Sequence, residues 1–381
     1  MESNQMCSKD SESKCGSSLK SQPTDYQAHA GRSQTCLGRE SSLRTDSQES
    51  ETYSWISEED IARKISLSSR GSQLVSEEEL TQLTHIMPAL TGVGLRFHLR
   101  ALIQSLQRQI EEQEILKEFV ALEHVRPLDG CQVGKAPENR EKNRYRDILP
   151  YDATRVPLAA NRGYINASYI RLRVGEEEHF YISTQGPLPG TVADFWQMIW
   201  ENESYVIAMM TKEVELGKVK CHRYWPELPQ DTLDLSEFRL RLDNYQILEY
   251  FIIRIIEIIN KQTGERRFIK HLQFTSWPDH GTPRLIEQLV KFIRYMRKVH
   301  QTGPITAHCS AGIGRSGVLL CIDILLCCIE KDLFFNIKQI VRELRHQRFG
   351  MVQTKDQYLF CYEVALQVLQ NIEAGEPRQL Q

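Results

Sequence analysis

The spacing of hydrophobic positions changes twice along the chain. Over residues 1–72 they are scattered without period among eighteen serines. Such a composition buries too little apolar surface to offset chain entropy, so a disordered Ser-rich tail is expected there. Within it, Tyr53, Trp55 and Ile56 precede Ser57-Glu-Glu-Asp60, an N-cap pattern for a short helix, with a partner or without one. From Val75 the spacing becomes helical. Ser76-Glu-Glu-Glu79 is a capping box, Val75 and Leu80 are placed as its hydrophobic staple, and Pro88 is read as the stop. Apolar positions from Leu99 to Leu122 keep helical spacing over about 96–123, with a phase slip at 111–114 that allows two helices. Pro127, Gly130, Gly134 and Pro137 mark a loop.

From Asn139 the alternation favours strands. Tyr164–Ile170 and His179–Ser183 flank a charged turn and read as a hairpin. Phe195–Trp200 reads as helix and Val206–Met210 as a buried strand. Ile247–Ile259 is ambiguous, but its β-branched residues and the Thr263-Gly264 turn favour one strand of a hairpin returning at Phe268–Phe274. Amphipathic helices are expected at Leu285–Val299, Asn336–Arg345 and Lys355–Leu369. The fold class is therefore α/β, a twisted mixed sheet flanked by helices, with a helical lead-in over 75–108.

A net charge of −3 excludes the basic excess of a nucleic-acid binder. The ten cysteines form no CxxC pair and no Cys/His cluster, so neither a metal nor another cofactor is expected. Residues 1–20 are polar, and the longest apolar run, 318–329, is too short to span a bilayer and contains Asp323. A cytoplasmic monomer with reduced thiols is the expectation.

The densest chemistry lies in Ala307-His-Cys-Ser-Ala-Gly-Ile-Gly-Arg-Ser-Gly317. A strand-like lead delivers His308 and Cys309 into a loop, and a helix-length apolar run follows. Gly312 and Gly314 let the loop amides turn inward, so Ser310, Ala311, Gly312, Ile313 and Gly314 make an anion cradle at a helix N-terminus. Cys309 at its mouth is expected to react as a thiolate. Arg315 offers a planar fork for two phosphate oxygens. Together these groups describe attack on a phosphate ester. A second stretch, Trp277-Pro-Asp-His-Gly-Thr-Pro283, frames Asp279 in a compact loop anchored by Trp277. There a carboxylic acid could protonate a departing phenolate and later take a proton from water.

The first stretch resembles the phosphate-binding loop of the protein-tyrosine phosphatases, and the second resembles their mobile acid loop. The resemblance spans 110–372, leaving 373–381 as a short tail. It implies hydrolysis of phosphotyrosine in proteins, with Cys309 as nucleophile, Arg315 as clamp, Ser316 aiding discharge of the phosphocysteine and Asp279 as general acid and base. It further implies that Tyr145 walls the pocket, that Asp147 accepts amides of the bound peptide, and that Arg146 favours acidic flanking residues. Gln353 would position the attacking water with Gln357 assisting, Glu215 would pair with Arg315, and Lys220 would meet the acid loop. Arg345 and Arg348 lie where some members hold a second phosphotyrosine; a solvated helix end is the other reading. Outside tyrosine-specific catalysis stand a phosphotyrosine-binding pseudophosphatase and a dual-specificity or phosphoinositide phosphatase.

Overall fold

The computed structural model describes residues 73–88, 93–112 (backbone only over 93–97), 114–125, 130–158, 163–278 and 280–375. The tail 1–72, Asp279 and residues 376–381 lie outside the described residues.

Four helices open the described chain: α1 (Glu77–Leu83), α2 (Val93–Glu111), α3 (Glu114–Glu123) and the short α4 (Gln132–Lys135). Of the expected capping box the N-cap half forms, with Ser76 Oγ accepting from the Glu79 amide at 3.1 Å, while the Glu79 carboxylate pairs with Lys298 instead of reaching back to the Ser76 amide. Pro88 does not end α1; the helix closes at Thr84, four residues earlier. The phase slip at 111–114 separates α2 from α3.

The strands are β1 (Arg155–Pro157), β2 (Tyr164–Val174), β3 (Glu177–Thr184), β4 (Val206–Met209), β5 (Val214–Glu215), β6 (Lys218–Val219), β7 (Thr232–Asp234), β8 (Phe238–Ile247), β9 (Phe251–Asn260), β10 (Arg266–Phe274) and β11 (Ile305–His308). Between them run α5 (Val192–Glu201) and α6 (Ile286–Val299). After β11 come α7 (Gly314–Glu330), α8 (Ile337–Gln347) and α9 (Lys355–Gly375). The run 247–259 is not one strand. Leu248, Glu249 and Tyr250 turn between β8 and β9, closed by the Leu248 amide on Phe251 O at 3.0 Å.

Among the described residues nine strands form one sheet in the order β1-β2-β3-β11-β4-β10-β9-β8-β7, and β5 pairs with β6 apart from it. The central strands β3, β11, β4 and β10 run parallel, and the flanks are antiparallel. Successive residues point to opposite faces. Val206 and Ala208 of β4 thus join the core under α6, α7 and α9, while Ile207 and Met209 join the core under α5 with Tyr224 and Trp225. The polar residue inside the apolar α7, Asp323, is buried and paired with Arg297, and it accepts from Tyr181 Oη at 2.8 Å. Parallel register brings Thr184, His308 and Met209 into one row across β3, β11 and β4, so their carboxyl ends open at one edge.

Candidate active site

Everything converges on that edge. The loop leaving β11 is fixed before any ligand enters. Gly186 donates its amide to Ser310 O at 3.0 Å, and Ser183 Oγ donates to Gly312 O at 3.0 Å. Gly312 has φ +70°, and a Cβ there would stand 2.1 Å from Thr184 O, so glycine is required on both conformational and steric grounds. Its amide points at Cys309 Sγ, 3.3 Å away, and Cys309 is 5% exposed. The helix α7 starts at Gly314, placing Arg315 and Ser316 in its first turn. Ser316 Oγ is buried without a hydrogen-bond partner among the described residues, beside the end of the helix that favours anions.

Arg315 is aimed by acceptors from another strand end. Its guanidinium forks onto Glu215 at 2.6 and 2.9 Å and also reaches Thr211 Oγ1 and Met210 O, each at 3.3 Å. Burial raises the Glu215 carboxyl, but the Arg315 fork, Thr211 and the Lys212 amide outweigh it and hold its pKa below the usual carboxylate range. The match of Glu215 to Arg315 is thus a physical contact spanning one hundred residues of sequence.

Behind Cys309 runs a chain of buried side chains. His308 Nδ1 lies 3.3 Å from Cys309 O, which can only accept, so this nitrogen carries the proton. Its Nε2 then accepts from Tyr224 Oη at 2.6 Å, and Tyr224 in turn accepts from His271 Nε2 at 2.8 Å. His271 Nδ1 faces Arg254 at 3.3 Å. Burial lowers the His308 pKa to about 4 and pushes His271 down as well, so both imidazoles are neutral at pH 7. His308 therefore orients the loop backbone without supplying a charge.

The rim comes from the turn at 144–147. Arg144 anchors it, donating to Gly186 O at 3.1 and 3.0 Å and to Pro187 O at 2.7 Å. Tyr145 Oη lies 2.9 Å from Ser310 Oγ, which stands the ring beside the cradle with 37% of the residue exposed. Arg146 and Asp147 are exposed on the same turn. Lys220 is half-buried past β6, its amide on Glu213 O at 2.8 Å. On the acid-loop side Trp277 is buried, donates Nε1–H to Gly281 O at 3.2 Å, and lies 5.5 Å beneath the Arg315 guanidinium.

The stretch that carries Gln353 and Gln357 lies above the cradle. A Cβ placed on Gly314 would meet Gln353 Oε1 at 3.2 Å and both amide atoms of Gln357 at 3.0 Å, so both side chains overhang the cradle. Gln357 has a further duty at the start of α9. Its oxygen accepts from the Gln353 and Thr354 amides at 2.9 and 3.4 Å while Thr354 Oγ1 accepts from its own amide at 3.2 Å, the reciprocal cap of α9. Val352, just before Gln353, holds φ +58°, a left-handed conformation that costs a β-branched residue about 1–3 kcal/mol.

Arg345 and Arg348 are not a solvated helix end: they are 6% and 0% exposed. Arg348 donates to Gly312 O at 2.8 Å and to Ala311 O at 3.2 Å, tying the back of the cradle to Asn166 and Ser168 of β2. Arg345 donates to Met351 O and Val352 O. Their place at the end of an amphipathic helix signals exposure; β2 and the cradle enclose Arg348, and the 351–352 backbone and Phe119 of α3 enclose Arg345.

A cysteine held in an amide cradle, faced by a carboxylate-braced arginine at the carboxyl ends of parallel strands, defines a class. The chain belongs to the protein-tyrosine phosphatase family, whose pattern matches residues 139–367. It is similar to Tyrosine-protein phosphatase non-receptor type 20 of Rattus norvegicus, 54% identical over 300 residues that cover 79% of this chain and 71% of that protein. The Homo sapiens protein of the same name is 51% identical over 324 residues, 84% of this chain and 77% of that one. Tyrosine-protein phosphatase non-receptor type 13 of Homo sapiens is 50% identical over 315 residues, 82% of this chain but 13% of that protein. Among the described residues no helix is long and apolar enough to cross a membrane, and no group of His, Cys, Asp and Glu could hold a metal ion.

Proposed function

We propose that this chain hydrolyses phosphotyrosine in proteins in two covalent steps. Cys309 Sγ, as thiolate, attacks phosphorus; an S–P bond forms, the P–O bond to tyrosine breaks, and Asp279 gives the phenolate its proton. Water positioned by Gln353 then attacks the phosphocysteine, its proton passes to Asp279, and phosphate leaves as the thiolate is restored with help from Ser316. Ser310 to Gly314 hold the equatorial oxygens with Arg315. The observation that carries this reading is the Arg315–Glu215 fork at 2.6 and 2.9 Å, which fixes the guanidinium beside the cradle of Cys309. The protein acts as a cytoplasmic monomer in phosphotyrosine signalling, over a catalytic domain of about 110–372.

Tyrosine selectivity is assigned to the Tyr145 wall. An aryl phosphate carries its phosphorus several ångströms farther from the peptide backbone than an alkyl one does, and a misplacement of about 1 Å costs ~10² in rate. Stacking on the phenyl ring adds about 1 kcal/mol. Tyr145→Ala should raise KM for phosphotyrosine peptides and narrow the gap to phosphoserine. The test assays one peptide with phosphotyrosine or phosphoserine on wild type and variant. Comparable wild-type kcat/KM for both would favour a dual-specificity phosphatase instead.

A further inference from the structure

Arg345 lies outside the cradle, yet its contacts lead straight to the second step. Its guanidinium spans two consecutive carbonyls, Met351 O at 3.0 Å through Nε and Val352 O at 2.9 Å through Nη2. From the other side the Val352 amide donates to Ile313 O of the cradle at 3.0 Å. Gly317 makes room for this approach, because a Cβ there would stand 2.3 Å from Val352 N. Val352 is thus fastened on both its amide and its carbonyl, with no exposed surface, in a backbone conformation that valine does not favour. The next residue is Gln353, whose side-chain oxygen overhangs Gly314.

The clamp is itself braced from α3. The Arg345 guanidinium lies 5.1 Å from the Phe119 ring centroid, and that ring packs 5.6 Å from Tyr358 of α9. Glu118, beside Phe119, accepts from Tyr358 Oη at 2.9 Å and Tyr362 Oη at 2.6 Å. The Tyr151 hydroxyl donates to the Arg345 carbonyl at 3.2 Å, which fixes the base of the side chain. A planar fork is suited to two adjacent carbonyls; a lysine ammonium cannot span them in one fixed geometry.

We propose that Arg345 is a positioning residue for hydrolysis of the phosphocysteine. By holding Val352 left-handed, it aims Gln353 at the water that attacks Cys309-bound phosphate. The inference rests on the two-step reading above and assigns a residue to one step of it. Attack by Cys309 uses no side chain of the 349–353 loop, and without the clamp the cradle keeps its ties to Gly186, Ser183 and Arg348, so the first step should change far less than the second.

The test is stopped-flow turnover of 4-nitrophenyl phosphate by the full chain, with the burst of nitrophenolate reporting the first step and the steady state the second. Arg345→Gln should leave the burst rate constant within a few-fold of wild type while the burst amplitude approaches one equivalent. Its steady-state rate should fall about 10- to 100-fold, the scale of a ~1 Å misplacement. Adding Gln353→Ala to Arg345→Gln should lower the rate by less than about twofold beyond Gln353→Ala alone, because both act on one interaction. Arg345→Lys should lie between Gln and wild type. If Arg345→Gln does not fold, Val352→Gly keeps the arginine and loosens only the fastened residue, and it should show the same split. Equal loss in both phases, losses that multiply with Gln353→Ala, or an unchanged steady state would overturn the proposal. A wild type that carries no phosphate on Cys309 during turnover would instead overturn the two-step reading, and the inference with it.

Discussion

The two halves of the sheet do different work. In the parallel centre each carboxyl end delivers part of the site: β3 leads to Gly186 beneath Ser310, β11 to Cys309, β4 to the Thr211 and Met210 acceptors of Arg315, and β10 to Trp277. In the antiparallel flank, β7 to β9 are joined by short turns, and their contribution is Arg254 of β9, which faces His271 behind the cradle and does not reach the cradle itself. The difference follows from connectivity. Parallel neighbours need long crossovers, so their strand ends open on one edge, where polar loops can gather. Hairpin turns alternate between edges and hand each strand straight back to the sheet. The flank contributes core instead, with Ile253, Ile256 and Ile258 all fully buried.

That division can be broken at several points, beginning with the largest effect. Cys309→Ser should abolish turnover while retaining phosphotyrosine-peptide binding, since serine stays un-ionised at neutral pH and the cradle survives. Arg315→Lys should fail as well, because an ammonium cannot occupy both the Glu215 fork and a phosphate. Asp279→Ala should lower kcat by about 10²–10⁴ for phosphotyrosine. The deficit should shrink for an aryl phosphate of low leaving-group pKa; an equal deficit on both substrates would remove Asp279 from the role of acid. In the flank the pattern should invert. Ile258→Ala empties a buried position of β9 and should cost about 2–5 kcal/mol of stability, with kcat/KM of the folded protein unchanged. A flank substitution that left stability intact but cut kcat would erase the distinction.

The smallest effect is a pH dependence of stability. His308 titrates near 4 in the fold against 6.5 for an ordinary histidine, so between those values the unfolded chain binds more protons. Stability is therefore fully present above about pH 6.5 and is lost as pH falls toward 4, by about 3 kcal/mol at most for this one group. His271 is shifted in the same direction. Denaturant titrations at pH 7, 6 and 5 should show this loss, and His271→Gln should make it shallower. A slope of opposite sign would mean that the buried imidazoles are not neutral.

Reading the sequence works best where the chemistry is local. The cradle is one strand–loop–helix turn, and its glycines, cysteine and arginine lie within eleven residues. The hairpin of β2 and β3 and the N-cap at Ser76 are local too. What escapes is burial imposed from a distance. Arg348 looks like the polar end of α8 until β2 and Gly312 enclose it. The turn at 248–250 contains neither Gly nor Pro, so the apolar run reads through it. Gln357 looks like helix decoration, although Thr354-x-x-Gln357 is a legible capping box whose second role over Gly314 only the fold supplies.

The central claim is that the parallel edge forms a covalent phosphocysteine at Cys309. The most direct measurement is acid quenching of the full chain during turnover of a ³²P-labelled phosphotyrosine peptide, followed by peptide mapping. Label should be confined to the peptide containing Cys309 and should be absent from Cys309→Ser. Label on a histidine or serine peptide, or steady turnover by Cys309→Ser, would contradict the account.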